Sequence, residues 1–96
     1  MENYKSAILE KICYTTLVYQ RINKKLSLYL SNEEIEKMIY KIILETHESE
    51  FQKTGKNIYI KNYEKNIRIT VNSFTYRLIT VDIMNKTEVG INPKIT

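Results

Sequence analysis

The hydrophobic period changes once along this chain of 96 residues. Up to about residue 47 the apolar side chains recur every three or four positions. From about residue 57 they alternate with polar ones. A helix presents one face at a period of 3.6 and a strand at a period of 2. A single switch between the two separates a helical first half from a sheet-forming second half.

Within the helical half, Tyr4, Ile8 and Ile12 recur at spacing four and predict a helix ending near Cys13. Thr15 or Thr16 can cap a second helix, with Leu17, Val18, Ile22 and Leu26 as its apolar stripe. Leu26 to Leu30 alternate briefly and read as an extended link or a very short strand. Ser31-Asn-Glu-Glu34 is a capping box, in which Ser31 and Glu34 satisfy each other's free amides. Ile35, Met38, Ile39, Ile42 and Thr46 follow at helical spacing and predict a third helix over about Asn32 to His47. Glu33, Glu34 and Glu36 complement its positive N-terminus.

Glu48 to Lys56 reads as a polar connection. Asn57 to Lys61 then alternate as a strand, with Ile58 and Ile60 inward. Asn62 to Lys65 make a turn, and Asn66 to Asn72 a second strand with Ile67, Ile69 and Val71 inward. After a turn at Ser73 to Thr75, a third strand runs from Tyr76 to Met84, with Ile79, Val81 and Ile83 inward. Strict alternation leaves Tyr59, Lys61, Arg68, Thr70, Asn72, Tyr76, Leu78, Thr80 and Asp82 on the opposite face, and sets Arg77 at a rim or bulge. Short connections favour an antiparallel meander. The expected fold is α+β: two or three N-terminal helices on one face of a C-terminal three-stranded antiparallel β-meander. It forms one domain over residues 1–96, with helices at about 4–47, the sheet at about 57–84 and a polar tail over 85–96.

Charge divides along the same line. Residues 1–50 carry seven Lys/Arg and eight Asp/Glu, a net of −1; residues 51–96 carry eight and three, a net of +5. The excess positive charge lies in the sheet half and points to an anionic partner. Residues 1–15 carry charges throughout, so no signal peptide is expected. No apolar run approaches the roughly 20 residues of a membrane span. One cysteine, Cys13, permits no internal disulfide and fits a cytoplasmic location.

Most catalytic chemistries are poorly served. One His and one Cys cannot build a structural zinc site. With two glycines there is no phosphate-cradling loop, and no cofactor is expected. His47 reads as a cation at a helix end or as a general acid/base, and Cys13 as a small hydrophobe against the core. The open sheet face gathers the remaining chemistry. Lys61 and Arg68 can hold phosphate, and Tyr59 and Tyr76 can stack bases. Lys56, Lys65, Thr70 and Arg77 extend this candidate nucleic-acid surface.

Three stretches carry a resemblance: Glu10-Lys-Ile-Cys-Tyr-Thr-Thr-Leu-Val-Tyr-Gln-Arg-Ile-Asn-Lys-Lys-Leu, Ser31-Asn-Glu-Glu-Ile-Glu-Lys, and Asn66-Ile-Arg-Ile-Thr-Val-Asn-Ser-Phe-Thr-Tyr-Arg-Leu-Ile-Thr-Val-Asp82. Over roughly residues 8–84 the chain resembles a small family of uncharacterised bacterial proteins, a domain of unknown function found mostly in Firmicutes. That resemblance implies no activity and transfers no catalytic residue. The architecture is also similar to small metal-independent ribonucleases of the barnase, colicin and RelE type, several of which work with Lys, Arg and Tyr. This likeness implies a ribonuclease-like toxin in which Lys61 and Arg68 stabilise charge and Tyr76 or His47 carries the proton. The leading expectation is a domain that interacts with nucleic acid, RNA over duplex DNA. The alternative is a non-catalytic regulator or inhibitor of phage or mobile-element origin. It would bind a protein through the same face or an edge strand. No membrane partner is expected.

Overall fold

The structure, a computed structural model, describes residues 4–84. The expected tail over 85–96 lies outside the described residues. Helices α1 (Tyr4–Lys11), α2 (Thr16–Leu26) and α3 (Asn32–Glu45) come first. A 3₁₀ turn (Glu48–Glu50) leads into β1 (Phe51–Thr54), β2 (Asn57–Asn62), β3 (Ile67–Asn72) and β4 (Leu78–Ile83). The strands form one antiparallel meander in the order β1-β2-β3-β4. The α+β class stands, with four strands rather than three.

Local chemistry sets most boundaries. Ser31 Oγ accepts from the Glu34 amide at 3.1 Å, and Glu34 Oε1 accepts from the Ser31 amide at 2.8 Å. This capping box starts α3 and satisfies two otherwise free donors. Asn23 holds the link before it: its Nδ2 donates to the Leu30 carbonyl and its Oδ1 accepts from the Leu30 amide, both at 3.0 Å. One side chain thus does what a partner strand would do, so Leu26 to Leu30 stay a link. Ser27 closes α2 in the left-handed region with φ 56. Val18 and Ile22 bury the inner side of α2. Leu17, expected on the same stripe, is 64% exposed.

The extra strand was hidden by its edge position. Only Phe51 of β1 is buried, while Gln52, Lys53 and Thr54 are exposed, so no alternation marks it. A two-residue loop, Gly55-Lys56, joins β1 to β2. Gly55 takes φ 63 at its first position, the residue and place that a type II′ hairpin favours.

The last strand departs from strict alternation. Ile69 pairs with Val81 and Thr70 with Thr80, but Val71 pairs with Leu78, because a bulge intervenes. The extra residue, Ile79, turns partly aside. Leu78, expected outward, points into the core and is 1% exposed. Tyr76 leaves the outer face as well: it sits in the turn at φ 59 and packs against the core margin. Ile83, expected inward, is 41% exposed at the strand's end.

The core lies between α3 and the inner sheet face. Ile35, Ile39, Ile42 and Ile43 meet Ile58, Ile60, Ile69 and Val71, with Ile8, Val18 and Ile22 closing one side. Two buried polar side chains are satisfied within it. Asn62 Nδ2 donates to Thr46 Oγ1 at 3.0 Å, and Thr46 Oγ1 donates to the Ile42 carbonyl at 2.6 Å. Thr46 ends α3 and Asn62 ends β2, so the pair ties helix to sheet.

Candidate nucleic-acid interface

The outer face follows from the strand register. Gln52 lies opposite Tyr59, and Tyr59 opposite Thr70. Thr70 in turn lies opposite Thr80. One step along, Lys61 lies opposite Arg68 and Arg68 opposite Asp82. β-strand pleating sends these side chains away from the isoleucine core. Tyr59, Lys61, Arg68 and Thr70, all expected site residues, therefore share one face, but Thr70 is 4% exposed, covered by its neighbours and not open to a ligand. A shallow depression of about 330 Å³ lies between Gln52, Thr54, Tyr59, Lys61 and Arg68.

Arg68 is the centre of the row. Its guanidinium stands over the Tyr59 ring at 5.9 Å from the centroid. Its Nη2 lies 3.6 Å from Asp82 Oδ2, and 42% of the side chain is exposed. Its Nε is buried with no hydrogen-bond partner among the described residues. Asp82 receives a second cation, Lys25 Nζ at 2.7 Å, which also donates to Thr80 Oγ1 at 2.9 Å. Lys25 reaches this face because α2 packs against β4. Lys25, Lys61 and Arg68 against Asp82 leave a net charge of +2. The planar, permanently charged group sits beside an aromatic ring, an arrangement suited to a phosphate and an adjoining base.

The other expected residues lie elsewhere. Tyr76 follows the far end of β3. Arg68 and Asn72 alone are four residues apart, about 13 Å at 3.3 Å per residue. There Lys11 Nζ stands 5.3 Å from the Tyr76 ring centroid. Lys56 occupies the β1–β2 loop at that same far end, where its carbonyl accepts from the Ser73 amide at 2.7 Å. Arg77 is exposed beside it and bridges to Cys13. Lys65, in the β2–β3 turn, lies 3.8 Å from Glu45 of α3 and so faces the helix side. His47 borders a groove of about 200 Å³ that Lys61 also lines, along with Glu45, Glu50 and Glu64. Lys61, Arg68, Tyr76 and His47 are thus not assembled into one catalytic cluster.

Two single residues differ from expectation. His47 does not end α3: that helix stops at Glu45, and His47 caps the 3₁₀ turn that follows. Its Nδ1 accepts from the Ser49 amide at 3.0 Å. Cys13 is exposed rather than packed in the core. Its amide donates to the Tyr76 carbonyl at 3.0 Å, and its carbonyl accepts from the Leu78 amide at 2.9 Å. Backbone pairing, not burial, fixes its place.

Sequence reasoning missed Lys25, Gln52 and Thr54 on this face. The Gly55-Lys56 loop was the available signal for the last two. Nothing local marks Lys25, which arrives through tertiary packing. Among the described residues no group of three or more His, Cys, Asp or Glu could hold a metal ion. Among them, too, no helix is long and apolar enough to cross a membrane.

A second cluster joins the α1–α2 link to α2 and α3. Tyr14 and Tyr19 stack with centroids 5.6 Å apart, and Tyr19 Oη donates to Glu36 Oε2 at 2.5 Å. That hydrogen bond, with smaller help from desolvation and the Glu36 charge, raises the Tyr19 phenol to about 12. Burial first, then the Glu36 charge, pushes Tyr14 upward as well.

A family model described as a protein of unknown function, DUF3781, matches residues 6–82. No curated protein and no solved structure matches the chain.

Proposed function

We propose that this chain, which belongs to the DUF3781 family, binds single-stranded RNA across the outer face of its sheet. One observation carries the reading: Arg68 lies over Tyr59 and opposite Lys61 on a face pointing away from the core. A ring and a guanidinium offer stacking surface to unpaired bases, and the two cations offer phosphate contacts. Duplex DNA is the less favoured partner, because the contacts proposed here lie on a sheet face rather than on a helix that would enter the major groove.

The reading is one of binding rather than turnover. Lys61 and Arg68 can steady developing charge, but of the two proton carriers expected with them Tyr76 lies past the far end of β3 and His47 lines a groove with Lys61 that does not include Arg68. A protein partner on the β1 edge is the rival. That edge is four residues long and carries an exposed Lys53, features that guard an edge against strand addition.

Fluorescence anisotropy with labelled oligouridylate and a labelled DNA duplex tests the proposal. The expected result is saturable binding of the single strand, at least tenfold tighter than of the duplex. Incubation with total RNA, followed by fragment-end mapping, should show no new ends. Equal affinity for both probes, or none for either, rejects the RNA reading. New ends that require Lys61 and Arg68 would convert it into a nuclease.

A further inference from the structure

Another concavity lies on the helix side of the sheet and is independent of the RNA reading. It has a volume of about 510 Å³ and runs between α3 and the start of β3. Its floor is Met38, Ile42 and Ile67. Ile83 pairs with Ile67 and is 41% exposed, so apolar surface continues past the groove. Its rim carries three ammonium groups. Lys37 and Lys41 stand one helical turn apart on α3, and Lys65 approaches from the β2–β3 turn.

These cations are poorly neutralised. Glu34 also borders the groove and stays charged, its Oε1 accepting from the Ser31 amide in the capping box, so the lining carries a net +2. Glu45 lies 3.8 Å from Lys65, a loose and exposed pair. Lys37 and Lys41 form no ion pair among the described residues. An apolar trough whose rim carries more cations than carboxylates complements a molecule with one anionic head and one hydrocarbon chain. The lining holds no aromatic ring for a base to stack on. The volume falls in the range of small-ligand pockets, roughly 300–1,000 Å³. A bare inorganic anion would leave the apolar floor unused.

We propose that this groove binds a free medium-chain carboxylate, its head between Lys37, Lys41 and Lys65 and its chain along Met38, Ile42 and Ile67. Calorimetric titration of the full chain with hexanoate, octanoate and decanoate, each below its micellar concentration, tests it. A fully buried methylene is worth about 0.8 kcal/mol, or about fourfold in affinity. An open groove should return about two- to fourfold per methylene, at one site per chain. Lys37→Ala combined with Lys41→Ala should weaken octanoate at least tenfold, and neutral octanol should bind at least tenfold more weakly. The Met38 methyl resonance should shift and saturate along the same isotherm. Arg68→Ala, on the other side of the sheet, should bind octanoate as the parent does. Octanol binding as tightly as octanoate overturns the proposal. So does an equal loss on Arg68→Ala, or association only with vesicles of anionic phospholipid and not with the free acids.

Discussion

Leu78→Ala should destabilise the protein far more than Ile79→Ala, the reverse of what period-two reading gives. Strict alternation from Val81 sends Ile79 into the core and Leu78 to the outer face. The bulge opposite Thr70 and Val71 exchanges them, so that Leu78 pairs with Val71 and is 1% exposed. Truncating a fully buried Leu to Ala removes its transfer energy and leaves a cavity, together about 2–5 kcal/mol. Ile79 is half-buried at the bulge, and its truncation should cost about 1 kcal/mol, by scaling that range down for partial burial. For a domain of this size, each 1 kcal/mol lowers the melting temperature by about 4–8 °C. A loss of about 3 kcal/mol therefore means about 12–24 °C for Leu78→Ala, against a few degrees for Ile79→Ala. Urea denaturation followed by circular dichroism should show a lower midpoint for Leu78→Ala with an unchanged slope. Were Ile79→Ala the more damaging of the two, the bulge-shifted register of β4 would be wrong, and with it the identity of the outer face.

Ser31→Ala should cost about 1 kcal/mol by removing the α3 cap, whereas Ser31→Asp should recover most of it; thermal unfolding of the two variants checks this. Alkaline stability should depend on Tyr19. Its phenol is raised in the folded state, from 10.0 to about 12, so the protonated form is the one the fold favours. That contribution is complete below pH 10 and lost as the pH climbs toward 12. A urea midpoint measured from about pH 9 to 12 should fall, and should fall less steeply in Tyr19→Phe; identical slopes would remove the Tyr19–Glu36 bond as the cause.

The strongest local signals were the ones that survived into the fold. The capping box at Ser31 and the isoleucine spacing of α3 depend only on neighbours along the chain, and both were legible. So were β2 and β3, because both are interior strands whose outer side chains are polar and whose inner ones are isoleucine or valine. β1 was not, because an edge strand with one buried residue carries no pattern. β4 was half legible: its existence follows from alternation, but a bulge is set by pairing across to β3, which no local window contains. The site divides in the same way. Tyr59, Lys61, Arg68 and Thr70 share a face because register is inherited from the inward isoleucines. Tyr76 was lost to the turn geometry that gives it a positive φ. Lys25 could not be found, because its approach to Asp82 joins residues 57 positions apart.

The claim that the outer face grips phosphate is tested most directly by the salt dependence of RNA binding in the parent and in Arg68→Ala. Each phosphate neutralised on a single strand contributes about −0.7 to the slope of log affinity against log salt. Lys25, Lys61 and Arg68 provide two or three contacts, which gives a parent slope between about −1.4 and −2.1. Removing Arg68 should weaken binding at least tenfold and make the slope about 0.7 shallower. Its exposed pair with Asp82 is worth only about 0–1 kcal/mol, so the unfolding midpoint should barely move. A slope near zero in the parent, or an Arg68→Ala variant that binds RNA as tightly and as salt-sensitively as the parent, would contradict the account.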